Sequence, residues 1–306
     1  MIEVPILNAS RFLAKGEDAF VAALGAACRE SGFALIEGHG LADHLISDVF
    51  AEADPFFARP QAEKAALDIR HSPHNRGWAA LGTENLDPDS DQVDQKEAFN
   101  IGLDLEADDP RVLAGEPFRG VNVWPDSETF RKILLTYFDA VLSLGRHLHR
   151  AIAIDLGLPA DHFEPSFRAP MATLRLLSYP PSTDGIGAGA HTDYGSITLL
   201  MTDGEPGLQV KLRDGDWIDA PHAPGAFVMN IGDCLMRWSN DVYVSTPHRV
   251  LAPKRRRRSI AFFMDPDPDA VISALPGTGE PKYPAVSGAD YLRSRLDATY
   301  IPESSR

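Results

Sequence analysis

The chain has 306 residues, 44% of them hydrophobic and 24% charged, with 29 Lys and Arg against 44 Asp and Glu for a formal net charge of −15. That length can bury a large core as one β-rich domain with appended helices, and the acidic balance excludes nucleic acid or an anionic membrane as the main partner, since both need a positive footprint. Cys28 and Cys234 make no disulfide framework, Met1-Ile2-Glu3-Val4-Pro5 lacks the parts of a signal peptide, and no run is long enough to span a bilayer, so a cytoplasmic protein is expected.

Residues 1 to 8 alternate as a short edge strand, and Asp18 to Arg29 carry Phe20, Leu24 and Cys28 at four-residue spacing, an amphipathic helix ending before Gly32. Phe33 to Ile36 is a short buried strand closed by Gly38-His39-Gly40. Residues 42 to 58 return to helical periodicity and Pro60 stops them. From 68 to 125 periodicity fades, with one strand expected over Ala98 to Leu103; so long an irregular stretch reads as a functional loop. The longest helix is capped by Asp126 or Ser127 and runs to about Leu156, with Phe130, Leu134, Tyr137, Val141, Leu144, Leu148 and Ile152 on one side.

After residue 170 the period changes from 3.6 to 2. Leu208, Val210 and Leu212 alternate with polar residues, and Asp214-Gly215 turns the chain into Trp217-Ile218-Asp219, a hairpin. Ala226 to Ile231, Tyr243-Val244, His248 to Leu251 and Ser259 to Met264 are further short strands, and Tyr291 to Tyr300 is a closing helix. Strands at this spacing mean a sandwich or a jelly roll, so the fold class is mainly β with flanking helices. Four regions follow: 1–125, an α/β leading region; 126–170, a supporting helix and connector; 171–265, the jelly roll; and 266–306, a closing segment.

His191-Thr192-Asp193 stands at the head of an apolar, β-branched run, and on a strand that spacing points both side chains to one face. With 10 histidines, one His-x-Asp is expected by chance at roughly even odds. The rival His162-Phe163-Glu164 lies in a turn or short helix where residues two apart diverge, and His147 and His149 share the long helix without facing one ligand. His248, 55 residues beyond Asp193, has enough chain to return on the facing sheet of a jelly roll. Two histidines and one carboxylate are the set with which non-haem Fe(II) oxygenases hold their metal while leaving positions open.

Beyond the triad, Leu176-Leu177-Ser178-Tyr179-Pro180, Gly207-Leu208-Gln209-Val210, Pro224 to Asp233, Trp238-Ser239-Asn240 and His248-Arg249-Val250 occur in order. Residues 173 to 264 resemble the core of the Fe(II)- and 2-oxoglutarate-dependent dioxygenases of the isopenicillin N synthase-like family, which implies a double-stranded β-helix core, the cupin-like jelly roll. Gly32-Phe33, Arg76-Gly77-Trp78, Lys96-Glu97-Ala98-Phe99 and Tyr283-Pro284 extend the resemblance over nearly the whole chain. It implies Fe(II) on His191, Asp193 and His248, and 2-oxoglutarate held by Arg257 of Arg257-Arg258-Ser259, with Ser259 and Tyr179 adding hydroxyl donors. It also explains the one basic run, Lys254 to Arg258, since alternation puts Arg257 and Ser259 inside and Arg256 and Arg258 outside.

The implied reaction is decarboxylation of 2-oxoglutarate to succinate and CO2 with dioxygen, coupled to hydroxylation, desaturation or ring closure of a small organic substrate, with ascorbate as an in vitro reductant. Two alternatives stand beside it: an oxidase of the same group that uses no 2-oxoglutarate, and a cupin-like binding protein without turnover. Substrate contacts are expected from Arg175, Arg76, Lys96, Tyr194 and Arg237, with Arg175 able to face the metal or to form a structural ion pair. His39, Gly225, Gly232 and Asp233 read as turn residues and Trp238 as core. Compared with many plant members, Leu177 replaces an Asn and Asp241 a Gly, the second altering only a turn. The sequence carries no rule for oligomeric state.

Overall fold

The computed structural model describes residues 4–299 except 88, 89, 91, 184 and 214. The chain opens with β1 (Ile6–Asn8), α1 (Ser10–Lys15), α2 (Asp18–Glu30), β2 (Phe33–Glu37), α3 (Asp43–Ala58), α4 (Gln61–Lys64), β3 (Gly77–Ala79), β4 (Glu97–Gly102) and α5 (Pro110–Leu113). The long α6 (Glu128–Asp155) leads into β5 (Thr173–Tyr179), β6 (Ile186–His191), β7 (Ile197–Thr202), β8 (Leu208–Lys211), β9 (Trp217–Asp219) and β10 (Phe227–Ile231). α7 (Asp233–Trp238), β11 (His248–Leu251), β12 (Arg257–Met264), β13 (Val271–Ile272), β14 (Val286–Ser287) and α8 (Gly288–Thr299) complete it.

Eight strands form one sheet in the order β1-β2-β10-β7-β12-β5-β4-β3, and four form a smaller one, β6-β11-β8-β9. The two make the expected jelly roll, with the short leading strands extending an edge of the large sheet. Period-2 alternation separates two cores. Leu174, Leu176, Phe262 and Met264 face the helices, while Leu177, Tyr179, Leu208, Val210 and Ala261 fill the space between the sheets. Against the helical side lies α6, started where Ser127 Oγ accepts the Phe130 N–H at 3.2 Å. Phe138 of α6 meets Phe262 edge-on at 5.1 Å, and Phe56, Phe99 and Phe130 lock α3 and α6 to β4 with centroid separations of 4.8 to 5.5 Å.

Several expectations are corrected. His191 and Asp193 do not share a strand: His191 ends β6 in the small sheet, and Asp193 lies in the crossing to β7 in the large one. Tyr243-Val244 is irregular rather than a strand, and Tyr243 instead donates its hydroxyl to Asp155 Oδ2 at 2.5 Å. Gly232 and Asp233 start α7 rather than a turn, and Gly232 is needed because a Cβ there would sit 2.2 Å from the Gly195 carbonyl oxygen. The hairpin β8–β9 forms as expected, though Asp214 of its turn and Tyr300 of the closing helix lie outside the described residues. Asp241 does occupy a turn, at φ 65°, a region that glycine and Asp tolerate.

Because Phe99 is fully buried among the rings that join helices to sheet, Phe99→Ala is expected to cost about 3–5 kcal/mol of stability, read as a lower denaturant midpoint.

Candidate active site

His248 pairs directly across from His191 in the β11–β6 ladder, so the second histidine arrives on the neighbouring strand of the small sheet and not on the facing sheet. Both Nδ1 atoms face backbone carbonyls, His191 to Gly189 O at 2.7 Å and His248 to Thr246 O at 3.1 Å. A carbonyl only accepts, so each Nδ1 carries the proton and each Nε2 keeps a lone pair. Asp193 Oδ1 lies 3.7 Å from both Nε2 atoms. Its other oxygen is taken, accepting from Thr198 Oγ1 at 2.6 Å and Asn230 Nδ2 at 2.7 Å.

Burial, reinforced by His248, pushes the His191 imidazole down to about 4. Against its own burial, the two imidazoles and the donated hydrogen bonds hold the Asp193 carboxyl below its usual range. The arrangement is two neutral nitrogen donors and one anionic oxygen aimed at a common point. The three ligand atoms lie within 4.8 Å of one another, and no other such group occurs among the described residues. This donor set fits a divalent cation whose remaining positions stay open.

The crossing that carries Asp193 is pinned from three sides. Asp233 N–H donates to the Asp193 carbonyl at 2.8 Å, and Ser196 N–H to the Met264 carbonyl at 2.9 Å. From α6, His149 Nε2 bonds Ser196 Oγ at 2.7 Å, while its Nδ1 faces the Gly145 carbonyl. Burial pushes His149 down to about 4, so it is neutral and, with Nδ1 protonated, accepts the serine hydroxyl.

Deeper in the same cavity lies Arg257, 1% exposed. Its outer neighbours in the basic run are paired: Arg255 with Glu205, Arg256 with Asp54, and Arg258 with Asp54 and Asp203. Arg257 has no described carboxylate within ion-pair distance. It reaches the Glu205 carbonyl at 3.2 Å and Ser259 Oγ at 3.5 Å, with the Tyr179 ring centroid 5.0 Å away. The alternation expected for Arg257 and Ser259 holds.

The remaining candidates divide. Arg175 lines the cavity and pairs with Glu84 at 2.5 Å, the ion pair that is one of the two alternatives for it. Lys96 is buried against Asp94 and lies 3.3 Å from Glu84. Asp94 in turn accepts the Gly189 N–H at 2.8 Å, and Gly189 O faces the His191 ring, so Lys96, which also lines the cavity, is linked through Asp94 to the strand of His191. Arg76 and Tyr194 line the cavity. Arg237 does not: its guanidinium bonds the Pro284 carbonyl and lies over Tyr283 and Tyr291, outside the chamber. His39 is a clasp, with Nε2 donating to the Gly225 carbonyl at 2.7 Å.

Residues 170–266 match the family model of the 2OG-Fe(II) oxygenase superfamily, and residues 4–127 match that of the non-haem dioxygenase in morphine synthesis N-terminal region. The chain is 37% identical over 289 residues to the 2-oxoglutarate-Fe(II) type oxidoreductase hxnY of Emericella nidulans, covering 89% of this chain and 82% of that one. The chain belongs to the 2OG-Fe(II) oxygenase superfamily. A rice relative, homoarginine-6-hydroxylase 2-ODD-233, is 34% identical over 97% of this oxygenase and 98% of its own length. Among solved structures, a full-length Neurospora crassa protein in complex with alpha-KG superposes with a TM-score of 0.84 at 32% identity, covering 96% of both chains. The protein is thus an oxidoreductase that uses Fe(II) and 2-oxoglutarate.

Sequence reading of this oxygenase missed Thr198 and Asn230, which orient Asp193, and Glu84, which gathers Lys96 and Arg175. The period-2 pattern does mark Thr198 and Asn230 as polar residues facing inward on buried strands; Glu84 carries no comparable signal. Burial alone would raise the Glu84 carboxyl, but Arg175 and Lys96 outweigh it and hold it at about 2. A depressed carboxyl stabilises the fold above its unfolded value near 4.5 and loses that contribution as pH falls toward 2. Stability is therefore expected to decline across that window by about 3 kcal/mol from this group, and the pH profile of Glu84→Gln, measured by denaturant melts, should be correspondingly flatter.

Proposed function

We propose that His191, Asp193 and His248 hold the Fe(II), and that Arg257, Ser259 and Tyr179 hold the distal carboxylate of 2-oxoglutarate, leaving the outer part of the cavity to a small organic substrate. The observation that carries this reading is the Asp193 carboxylate, with one oxygen saturated by Thr198 and Asn230 and the other facing two unprotonated imidazole nitrogens. Iron bound there supplies the redox chemistry that couples oxidative decarboxylation of 2-oxoglutarate to oxidation of a substrate C–H bond.

The chain's own residues do the rest. The Gly189 and Thr246 carbonyls fix the tautomer and ring plane of each histidine. Arg257 offers a buried guanidinium whose charge no described carboxylate neutralises, a match for an anion that arrives with the cosubstrate. Leu200, Leu208, Val228 and Val250 line the chamber with hydrocarbon and exclude water from the oxidising centre. The cavity holds about 240 Å³, which suits a metabolite rather than a polymer.

Hydroxylation is the favoured outcome. The Neurospora crassa protein has been solved with thymine and the rice relative is named for homoarginine, which supports a compact substrate with polar groups. Two buried, unpaired cysteines and the acidic charge support a cytoplasmic enzyme acting on a small molecule rather than on nucleic acid or a membrane surface. No helix among the described residues is long and apolar enough to cross a membrane.

His191→Ala is expected to abolish both Fe(II) binding, followed by equilibrium dialysis, and 2-oxoglutarate-dependent succinate release; normal turnover in that variant overturns the metal assignment. Arg257→Gln should raise the KM for 2-oxoglutarate by about tenfold or more while leaving the circular dichroism spectrum unchanged. An unaltered KM would remove Arg257 from the cosubstrate site.

A further inference from the structure

Arg76 is a second buried cation on the cavity wall, 3% exposed, and no described carboxylate lies within ion-pair distance of it. It precedes β3, and Gly77 next to it pairs with Asn100 of β4. The guanidinium spans only backbone acceptors: Nη1 donates to the His74 carbonyl at 2.9 Å and reaches the Asn75 carbonyl at 3.4 Å. Asn100, 1% exposed, sends Nδ2 toward the same Asn75 carbonyl at 3.5 Å. The two side chains thus converge on one atom. Arg76 Nε and Asn100 Oδ1 are both buried without a partner.

Gly102 makes this possible. A Cβ there would stand 1.9 Å from Arg76 Nη2 and 2.1 Å from Cζ, so the guanidinium lies across bare backbone on the inward face of β4. Among the described residues the charge that acts on Arg76 is the like-signed Arg119, and burial with Arg119 pulls Arg76 down to about 10, still charged at neutral pH. A structural tie between the 74–75 turn and β4 needs Nη1 alone. It does not account for a lone charge, a spare donor and a spare acceptor buried in two residues that line the chamber that also contains Asp193. Buried charges of this kind are destabilising unless a counter-ion arrives.

We propose that Arg76 and Asn100 are the substrate's anchoring subsite, and that the substrate is a small α-substituted organic acid. Its carboxylate binds Arg76, and an N–H or O–H on its α-carbon donates to Asn100 Oδ1. The inference rests on the oxygenase site described above, which assigns Arg257 and not Arg76 to the cosubstrate. It narrows the substrates to α-amino or α-hydroxy acids, oxidised at a carbon away from the anchored end.

The test uses full-length protein loaded with redox-inert Zn(II) and 2-oxoglutarate, and ligand-observed NMR titrations of matched probes: L-leucine and L-leucinamide, L-phenylalanine and L-phenylalaninamide, 2-hydroxy-4-methylpentanoate and its amide. In at least one pair the acid should bind about tenfold or more tightly than the amide, as expected for a charge-assisted contact, and Arg76→Gln should erase the preference. Whether the amino or the hydroxy acid leads identifies the α-donor. Asn100→Asp places a carboxylate beside the guanidinium, so it should raise the melting temperature and abolish acid binding even if Arg76→Gln fails to fold. Amides that bind as well as acids in every pair, acids that do not bind, or a preference that survives the variants overturn the proposal. So does an equal loss of 2-oxoglutarate affinity in Arg76→Gln, which would move Arg76 to the cosubstrate. Wild-type protein that binds neither metal nor 2-oxoglutarate would instead overturn the underlying site.

Discussion

A carboxylate buried between two β-sheets has to be held by donors, and Asp193 is held on one side only. Thr198 and Asn230 saturate one oxygen, so the other is left to face His191 and His248. Everything nearby serves that asymmetry. The crossing from β6 to β7 exists to carry the carboxylate from one sheet to the other, and Gly232 has no side chain because the crossing passes against it. The ladder between β6 and β11 then sets the two imidazoles side by side, with ring centroids 4.4 Å apart. A one-residue slip in that register would turn one histidine out of the barrel.

Charge is distributed by depth. The surface is acidic overall, yet Arg257 and Arg76 stand inside the cavity without described carboxylate partners, while Lys96 and Arg175 converge on Glu84 and Asp94. The neutralised pair belongs to the scaffold, since Asp94 reaches the strand of His191 through Gly189. The other pair, Arg257 and Arg76, has no such counter-ion among the described residues. Lys96 is as buried as Arg76 and Arg257, so what separates it from them is that the protein supplies its counter-ion.

Much of this was legible in the sequence because it follows from periods. The apolar stripe of α6, its Ser127 cap and the inward placement of Arg257 and Ser259 are consequences of 3.6 and 2 residue repeats. The triad was legible by residue type, although not by local geometry: His191 and Asp193 converge across a change of sheet rather than along one strand. Contacts between distant segments left no trace. Nothing in the spacing of Glu84 and Arg175, 91 residues apart, announces their ion pair, and Arg237 carried the same chemical promise as Arg175 while folding outside the chamber. Tyr243-Val244 looked like a strand because β-branched and aromatic residues also suit a buried irregular segment, where Tyr243 could satisfy its hydroxyl on Asp155.

The bond from His149 to Ser196 ties the middle of α6 to the turn between Asp193 and β7. The helix therefore has two clients: on one side the aromatic layer that holds the leading region, on the other the short turn that presents a carboxylate to the chamber. A displacement of that helix is therefore passed through one side-chain hydrogen bond to the turn that follows Asp193, without any contact between helix and carboxylate.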